Sequence, residues 1–259
     1  MWSTLNPTFS SLAGKRVWII GASSGIGAAL ATQALHEGAQ VILSARRIDA
    51  LMQVAKQHQA AQLLPFDVCE VALWQSAFET IVESGQGVDL VVFCAGDYLP
   101  ERAWDVTPES AKKTINVNLM SVYSGLSTIL PAMMERGSGG IVLVASVAGY
   151  VGLPNASVYG PSKAALINLA EVLYTDLHPK GIGVYLVNPG FVKTPLTAKN
   201  EFEMPALQTP EQAAGAIWQG VKRGRFEIHF PWRFTTVLKL IRWLPYRWQF
   251  ALMSKLVSE

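Results

Sequence analysis

The sequence predicts an α/β protein: one doubly wound parallel sheet with helices on both faces, in a single three-layer α/β/α domain. Three observations predict it. Near-continuous apolar runs alternate with helical patterns, which is how strands buried on both faces read. Half of the 259 residues are hydrophobic and only 15% are charged, enough apolar material for one large core. No linker-like stretch interrupts the alternation, so residues 1–259 read as one domain.

The elements follow in order. Residues 16–21 (RVWIIG) predict a buried strand, and 25–37 the helix after it. A second strand is expected at 40–46 (QVILSAR), with a helix over 48–59. The stretch 61–68 (AQLLPFDV) holds a third strand, followed by a helix at 71–84. Residues 88–96 (VDLVVFCAG) predict a fourth strand, and a helix covers 107–120 and continues to about 135. A fifth strand falls at 139–146 (GGIVLVAS), a helix at 157–177, and a sixth strand at 183–190 (GVYLVNPG). A helix over 210–223 and a last strand at 226–230 (FEIHF) complete the alternation.

Bulk properties narrow the function. A net charge of +2 is too small to indicate nucleic acid as a partner. The two cysteines, Cys69 and Cys94, have no metal-like spacing and suit a reducing cytoplasm; no metal is expected. The N-terminal stretch lacks the charged start and apolar core of a secretory signal. No run approaches the roughly 20 apolar residues of a spanning helix.

The segment GASSGIG (21–27) joins the first strand to the first helix. Gly21 permits a tight turn, and Gly25 and Gly27 let a ligand and a neighbouring strand approach backbone. With Ser23, Ser24 and Ile26, they place free N–H groups and a positive dipole end where a dinucleotide phosphate would rest. About 20 residues on, an acidic residue would bond an NAD ribose hydroxyl. Here the second strand ends in Arg46 and Arg47 instead, which favours NADP over NAD. Asp67 and Val68, at the end of the third strand, are candidates for the adenine; taken alone, Asp67 reads as a turn or cap residue.

The segment YGPSK (159–163) sets Tyr159 and Lys163 on one helix face. A nearby ammonium stabilises phenolate, so the pair is expected to exchange a proton near neutral pH. Pro161 fits if it lies in the first turn. Ser146 ends the fifth strand, where its hydroxyl would meet a substrate oxygen. Asn118 is unfavourable inside a helix and is expected to interrupt it, holding water near the lysine; Asn116 is the competing choice. In NPGFVKT (188–194), Pro189 and Gly190 shape a turn. Val192 and Thr194 beyond it are candidates for a carboxamide or phosphate.

Together these segments resemble the short-chain dehydrogenase/reductase (SDR) family, in its order and spacing across residues 14–195. The resemblance implies a Rossmann-type fold and hydride transfer between a nicotinamide and a carbonyl or alcohol. It implies that Tyr159 is the general acid–base and that Lys163 tunes it and holds the nicotinamide ribose. Ser146 would orient the substrate and Asn118 fix a relay water. Cys94, Ala95 and Gly96 would bring backbone to the adenosine ribose, and a homodimer or homotetramer would be expected. Two departures stand out: Ile20 replaces the usual threonine, and Cys94 replaces an asparagine of NNAG.

Residues 195–209 are expected to form a substrate lid, apolar in part but carrying Lys199, Glu201 and Glu203. Residues 232–259 form a basic apolar extension with Arg233, Lys239, Arg242, Arg247 and Lys255. On a helix over 233–244, Phe234, Val237, Leu238, Ile241 and Leu244 share one arc, with Trp243 on the polar side. That arc would meet a membrane surface, a second subunit or the protein body, and Pro245 allows two short helices. The function expected is an NADP-dependent oxidoreductase of a small, apolar carbonyl or secondary alcohol. A non-catalytic dinucleotide-sensing protein and a nucleotide-sugar epimerase or dehydratase are the alternatives.

Overall fold

The structure, a computed structural model, describes residues 4–85, 87–200 and 202–255, with side chains through Met253. Residues 1–3, Gln86, Glu201 and 256–259 therefore lie outside the described residues. Seven strands form one sheet: β1 (Arg16–Ile20), β2 (Gln40–Ser44), β3 (Ala61–Leu63), β4 (Leu90–Phe93), β5 (Gly139–Val144), β6 (Ile182–Pro189) and β7 (Glu227–Phe230). Their order is β3-β2-β1-β4-β5-β6-β7, and every pairing is parallel. The order reverses between β1 and β4, so a crevice opens there beyond the strand carboxyl ends.

Alternate residues of each strand feed opposite core layers. Trp18 and Ile20 join one with Ile141 and Leu143; Val17 and Ile19 join the other with Val142 and Val144. The first layer is covered by α3 (Val71–Glu83), α5 (Ser121–Arg136) and α6 (Tyr159–Leu177). The second is covered by α1 (Gly25–His36), α2 (Ile48–Ala55) and α7 (Pro210–Lys222). Each fully buried aliphatic side chain contributes roughly 1.5–3 kcal/mol. The hydroxyl lost at Ile20 is compensated nearby: the Trp18 indole N–H donates to Ser44 Oγ at 2.8 Å, tying β1 to β2.

The expected interruption at Asn118 is present. Helix α4 (Pro108–Ile115), capped by Thr107, runs into a π-helical stretch, Asn116–Met120, and then into α5. The continuous helix Pro108–Arg136 has the length and hydropathy of a membrane span. Its Val122, Leu126, Ile129 and Met133 are nevertheless packed in the core of the sheet layer.

The C-terminal region forms two helices, α8 (Trp232–Arg242) and α9 (Tyr246–Lys255), on either side of Pro245. The predicted arc divides. Leu238 is buried, and Phe234 and Ile241 pack on the core, but Val237 and Leu244 are exposed. Trp243, assigned to the polar side, stands in solvent beside other apolar side chains.

Candidate active site

The crevice is lined first by the glycine turn. Gly21 has φ +92°, and its N–H and that of Ala22 both donate to Ser44 O, which folds the chain back over β2. A Cβ on Gly21 would lie 2.5 Å from Ala95 N, and one on Gly27 would lie 2.2 Å from Gly21 O. Gly25, at φ +56°, is roofed by the Thr194 methyl, 2.9 Å from where a Cβ would stand. Only glycine fits these positions. Ser24, at the head of α1, makes no side-chain cap; Gly27 N–H meets the Cys94 thiol, and the N–H groups of Gly25 and Ile26 face an outside acceptor. A nucleotide phosphate suits that donor set, and Ser23 and Ile26 lie within the same turn.

The residues expected to transfer a proton meet at the end of β5. Tyr159 and Pro161 occupy the first turn of α6, where the proline's missing N–H costs nothing. Lys163, one turn on, is buried; its ammonium donates to Val144 O at 2.9 Å and stands 5.6 Å from the Tyr159 ring centre. Ser146 accepts from Ala148 N at 3.1 Å, capping a short 3-10 turn, and its hydroxyl also bonds the Tyr159 phenol. Ser146 thus fills its turn-capping role and faces the phenol as well.

Burial, more than the ammonium, governs the phenol. Desolvation pushes Tyr159 up to about 12, opposed by the hydrogen bond from Ser146. The same burial pulls Lys163 down to about 8 and pushes the Cys94 thiol up to about 11. The expected lowering of Tyr159 toward neutral pH is therefore not found in this geometry. The cation has itself lost solvation.

Asn118 is buried in the π-helical stretch. Its two amide N–H groups donate to Asp97 O and Ser162 Oγ, and its Oδ1 accepts from Asp97 N at 2.7 Å. The side chain braces the β4 loop against α6, and its Oδ1 and the Lys163 ammonium both face Gly96. Asn116 begins the same stretch without entering this network.

The other predicted cofactor residues follow the carboxyl ends of β2, β3, β4 and β6. Arg46 and Arg47 are exposed just beyond β2. Asp67 Oδ1 accepts from Cys69 N at 3.0 Å, a turn-forming contact, and Val68 is buried. Cys94, Ala95 and Gly96 follow β4, with Gly96 open toward Lys163 and Asn118. Pro189 ends β6, and Gly190 is packed against Phe234 and Pro231. Val192 is buried and bridges to Gln208, while Thr194 N donates to Thr197 Oγ1.

Tyr98, Asn200 and Ser162 were not anticipated. Tyr98 stacks edge-on against Tyr159, with centres 4.9 Å apart, and its hydroxyl donates to Asn200 Oδ1 at 2.9 Å. Lys199, in the short 3-10 helix Thr197–Lys199, donates to Tyr98 O, so the 195–209 segment is tied to Tyr98 at two points. Ser162 joins Asn118 to Tyr159 O. Tyr98 lies two residues beyond CAG, at a strand's carboxyl end, and that position was its only signal. Phe191 meets Phe202 of the 195–209 segment and Phe234 of α8, with ring centres 5.7 and 5.8 Å apart.

A model of the short chain dehydrogenase family matches residues 15–204. An uncharacterised oxidoreductase of Myxococcus xanthus is 34% identical over 231 residues, covering 88% of this chain and 91% of the relative. Among solved structures, a Burkholderia phymatum short chain dehydrogenase/reductase in complex with NAD superposes with TM-score 0.81. It is 25% identical and covers 89% of this chain and 93% of its own. A Sphingobium yanoikuyae short-chain dehydrogenase in complex with NADPH gives TM-score 0.78 at 25% identity, covering 86% and 91%. The glycine turn, the Tyr159–Lys163 pair and these matches lead to one conclusion: the chain belongs to the short-chain dehydrogenase family of oxidoreductases.

Proposed function

We propose that the protein uses NADP to interconvert an apolar carbonyl compound and its secondary alcohol. The observation that carries this reading is the meeting of Ser146, Tyr159 and Lys163 at the mouth of the crevice headed by the glycine turn. When bound, the nicotinamide cofactor supplies hydride chemistry; the 21–27 turn, Arg46, Arg47 and Lys163 would hold it.

In reduction, Tyr159 gives its proton to the substrate oxygen and Ser146 orients that oxygen. A phenol pushed up to about 12 keeps its proton at neutral pH, the form a general acid needs. Lys163, pulled down to about 8, is still largely protonated at pH 7 and stabilises the phenolate as the proton leaves. Oxidation runs the same groups in reverse. Asn118 holds Asp97 and Ser162 in place and so positions Tyr159.

The preference for NADP rests on two exposed guanidinium groups where a carboxylate would favour NAD. The apolar substrate rests on Tyr98, Phe191 and Phe202 around the cleft. We place the protein in the cytoplasm on the strength of its two free cysteines. A homodimer or homotetramer through α5 and α6 is supported by exposed Tyr123 and Val172 and is measurable by light scattering.

The test is cofactor titration of the wild type and Arg46→Asp, with Tyr159→Phe as the catalytic control in NADPH oxidation against ketones, aldehydes and quinones. The wild type is expected to prefer NADPH at least tenfold, with the preference lost in Arg46→Asp. Tighter NAD binding by the wild type would overturn the assignment.

A further inference from the structure

Helix α8 is apolar on two sides. Its inner side places Phe234, Leu238 and Ile241 on the body. Its outer side carries Trp232, Leu240 and Trp243 at helical spacing, 66%, 64% and 87% exposed. After Pro245, α9 adds Tyr246, Trp248 and Phe250 to the exposed apolar set. Such a concentration of exposed rings marks a surface that meets something other than water.

The charge on this surface has one sign. Arg233, Arg242 and Arg247 are exposed within it, and residues 228–258 contain no acidic residue. Lys239 is already paired with Glu227 and belongs to the inner side. A two-fold contact with a second copy would set these arginines against like charges with no carboxylate on the patch to pair them. A bilayer rich in anionic lipid supplies the missing charge, and tryptophan and tyrosine suit its headgroup layer. At 11 and 10 residues, the two helices are too short to cross a membrane and long enough to lie on one.

We propose that the α8–α9 surface docks the protein on anionic lipid bilayers. The inner contacts, including buried Met253, hold the helices against the body. Docking therefore fixes how the domain sits on the lipid. Phe234 touches Phe191, which touches Phe202 of the lid, so the docked face and the lid are one packed unit. An apolar carbonyl or alcohol dissolved in the bilayer is the substrate class this arrangement serves; that clause rests on the function proposed above, and the docking does not.

Vesicle flotation of the full chain tests the docking without any turnover. With phosphatidylglycerol–phosphatidylcholine vesicles, most of the wild type should float, and far less should float with phosphatidylcholine alone or at high salt. Trp243→Ser with Trp248→Ser and Phe250→Ser should cut partitioning at least tenfold at unchanged melting temperature. Arg233→Glu with Arg247→Glu should abolish the preference for anionic lipid. A wild type that stays in the lipid-free fraction overturns the proposal, as does a triple variant that floats equally well. A dimer in sedimentation equilibrium that Trp243→Ser dissolves assigns the surface to a second copy and also overturns it. For the substrate clause, anionic vesicles should raise NADPH oxidation with a long-chain ketone several-fold, and the triple variant should lose that gain while keeping its rate on a short soluble ketone. Flotation without any such gain removes the clause alone, and flotation of a protein with no activity on any carbonyl removes the proposed function alone.

Discussion

Two lysines in this protein lie over tyrosine rings at the same distance, 5.6 Å from the ring centre: Lys163 over Tyr159, and Lys239 over Tyr150. The residue types are the same and the surroundings are opposite. Lys239 is ion-paired to Glu227, whose Oε1 accepts from the Tyr150 hydroxyl at 2.5 Å and from Asn188 Nδ2 at 2.9 Å. That cluster is closed: each charge has its partner, and together they fasten α8 to β7. Lys163 pairs with no carboxylate among the described residues. Its tyrosine has a serine and a ring edge for company. A Tyr–Lys pair completed by a carboxylate is a clamp, whereas the proposed function asks the pair without one to exchange a proton.

The largest expected effect separates the two tyrosines. Tyr159→Phe should lower kcat about 10²–10⁴-fold while cofactor affinity stays unchanged. Tyr150→Phe should leave turnover within about twofold. Comparable losses of kcat in both variants, measured with the same ketone, would break the comparison.

Next come the lysines. Lys239→Met leaves the Glu227 carboxylate without its cation and should destabilise the fold by about 1–3 kcal/mol, with turnover retained and earlier proteolysis at the C-terminal helices. Thermal melts and limited trypsin digestion check this. Lys163→Met should do the reverse, losing turnover and keeping the C-terminal helices docked.

The smallest effect is a pair of opposite pH signatures. Burial opposes ionisation of Glu227, yet its hydrogen bonds from Lys239, Tyr150 and Asn188 hold it below its ordinary value of 4.5. Its contribution is therefore full above about pH 4.5 and fades as pH falls through the folded value. Lys163 behaves otherwise. Its folded value of about 8 lies below the ordinary 10.5, so the unfolded chain binds more protons in that window and stability climbs with pH. Cys94 and Tyr159, both raised, pull the other way above about pH 9. The climb is thus read as the difference between wild type and Lys163→Met. A flat difference curve from pH 8 to 10.5 would contradict a buried ammonium, and an acid transition unchanged in Glu227→Gln would contradict the clamp.

Much of the site was legible because its parts are local. The turn from Gly21 to Gly27 and the helix face of Tyr159 and Lys163 each depend on a few neighbouring residues. The helix interruption at Asn118 was legible too, because an asparagine inside an apolar helix is a propensity conflict visible in sequence. The partners of Asn118 were not: Asp97 and Ser162 are 21 and 44 positions away. The acidity of Tyr159 was misjudged for a related reason, since spacing reveals a neighbouring cation and conceals how far both groups are desolvated.

The sequence by itself determined the alternation of strand and helix, the glycine turn, the shared helix face of Tyr159 and Lys163 and the basic aromatic character of the C-terminal region. All of these are written in short-range periodicity and residue type. Tertiary structure alone decided which side of α8 meets the body, which lysine is closed by a carboxylate, and that the 195–209 segment is tied to Tyr98 by Lys199 and Asn200. The Tyr150–Glu227 bond joins residues 77 positions apart. Contacts at that range form only once the sheet has ordered its strands, so no local pattern carries them.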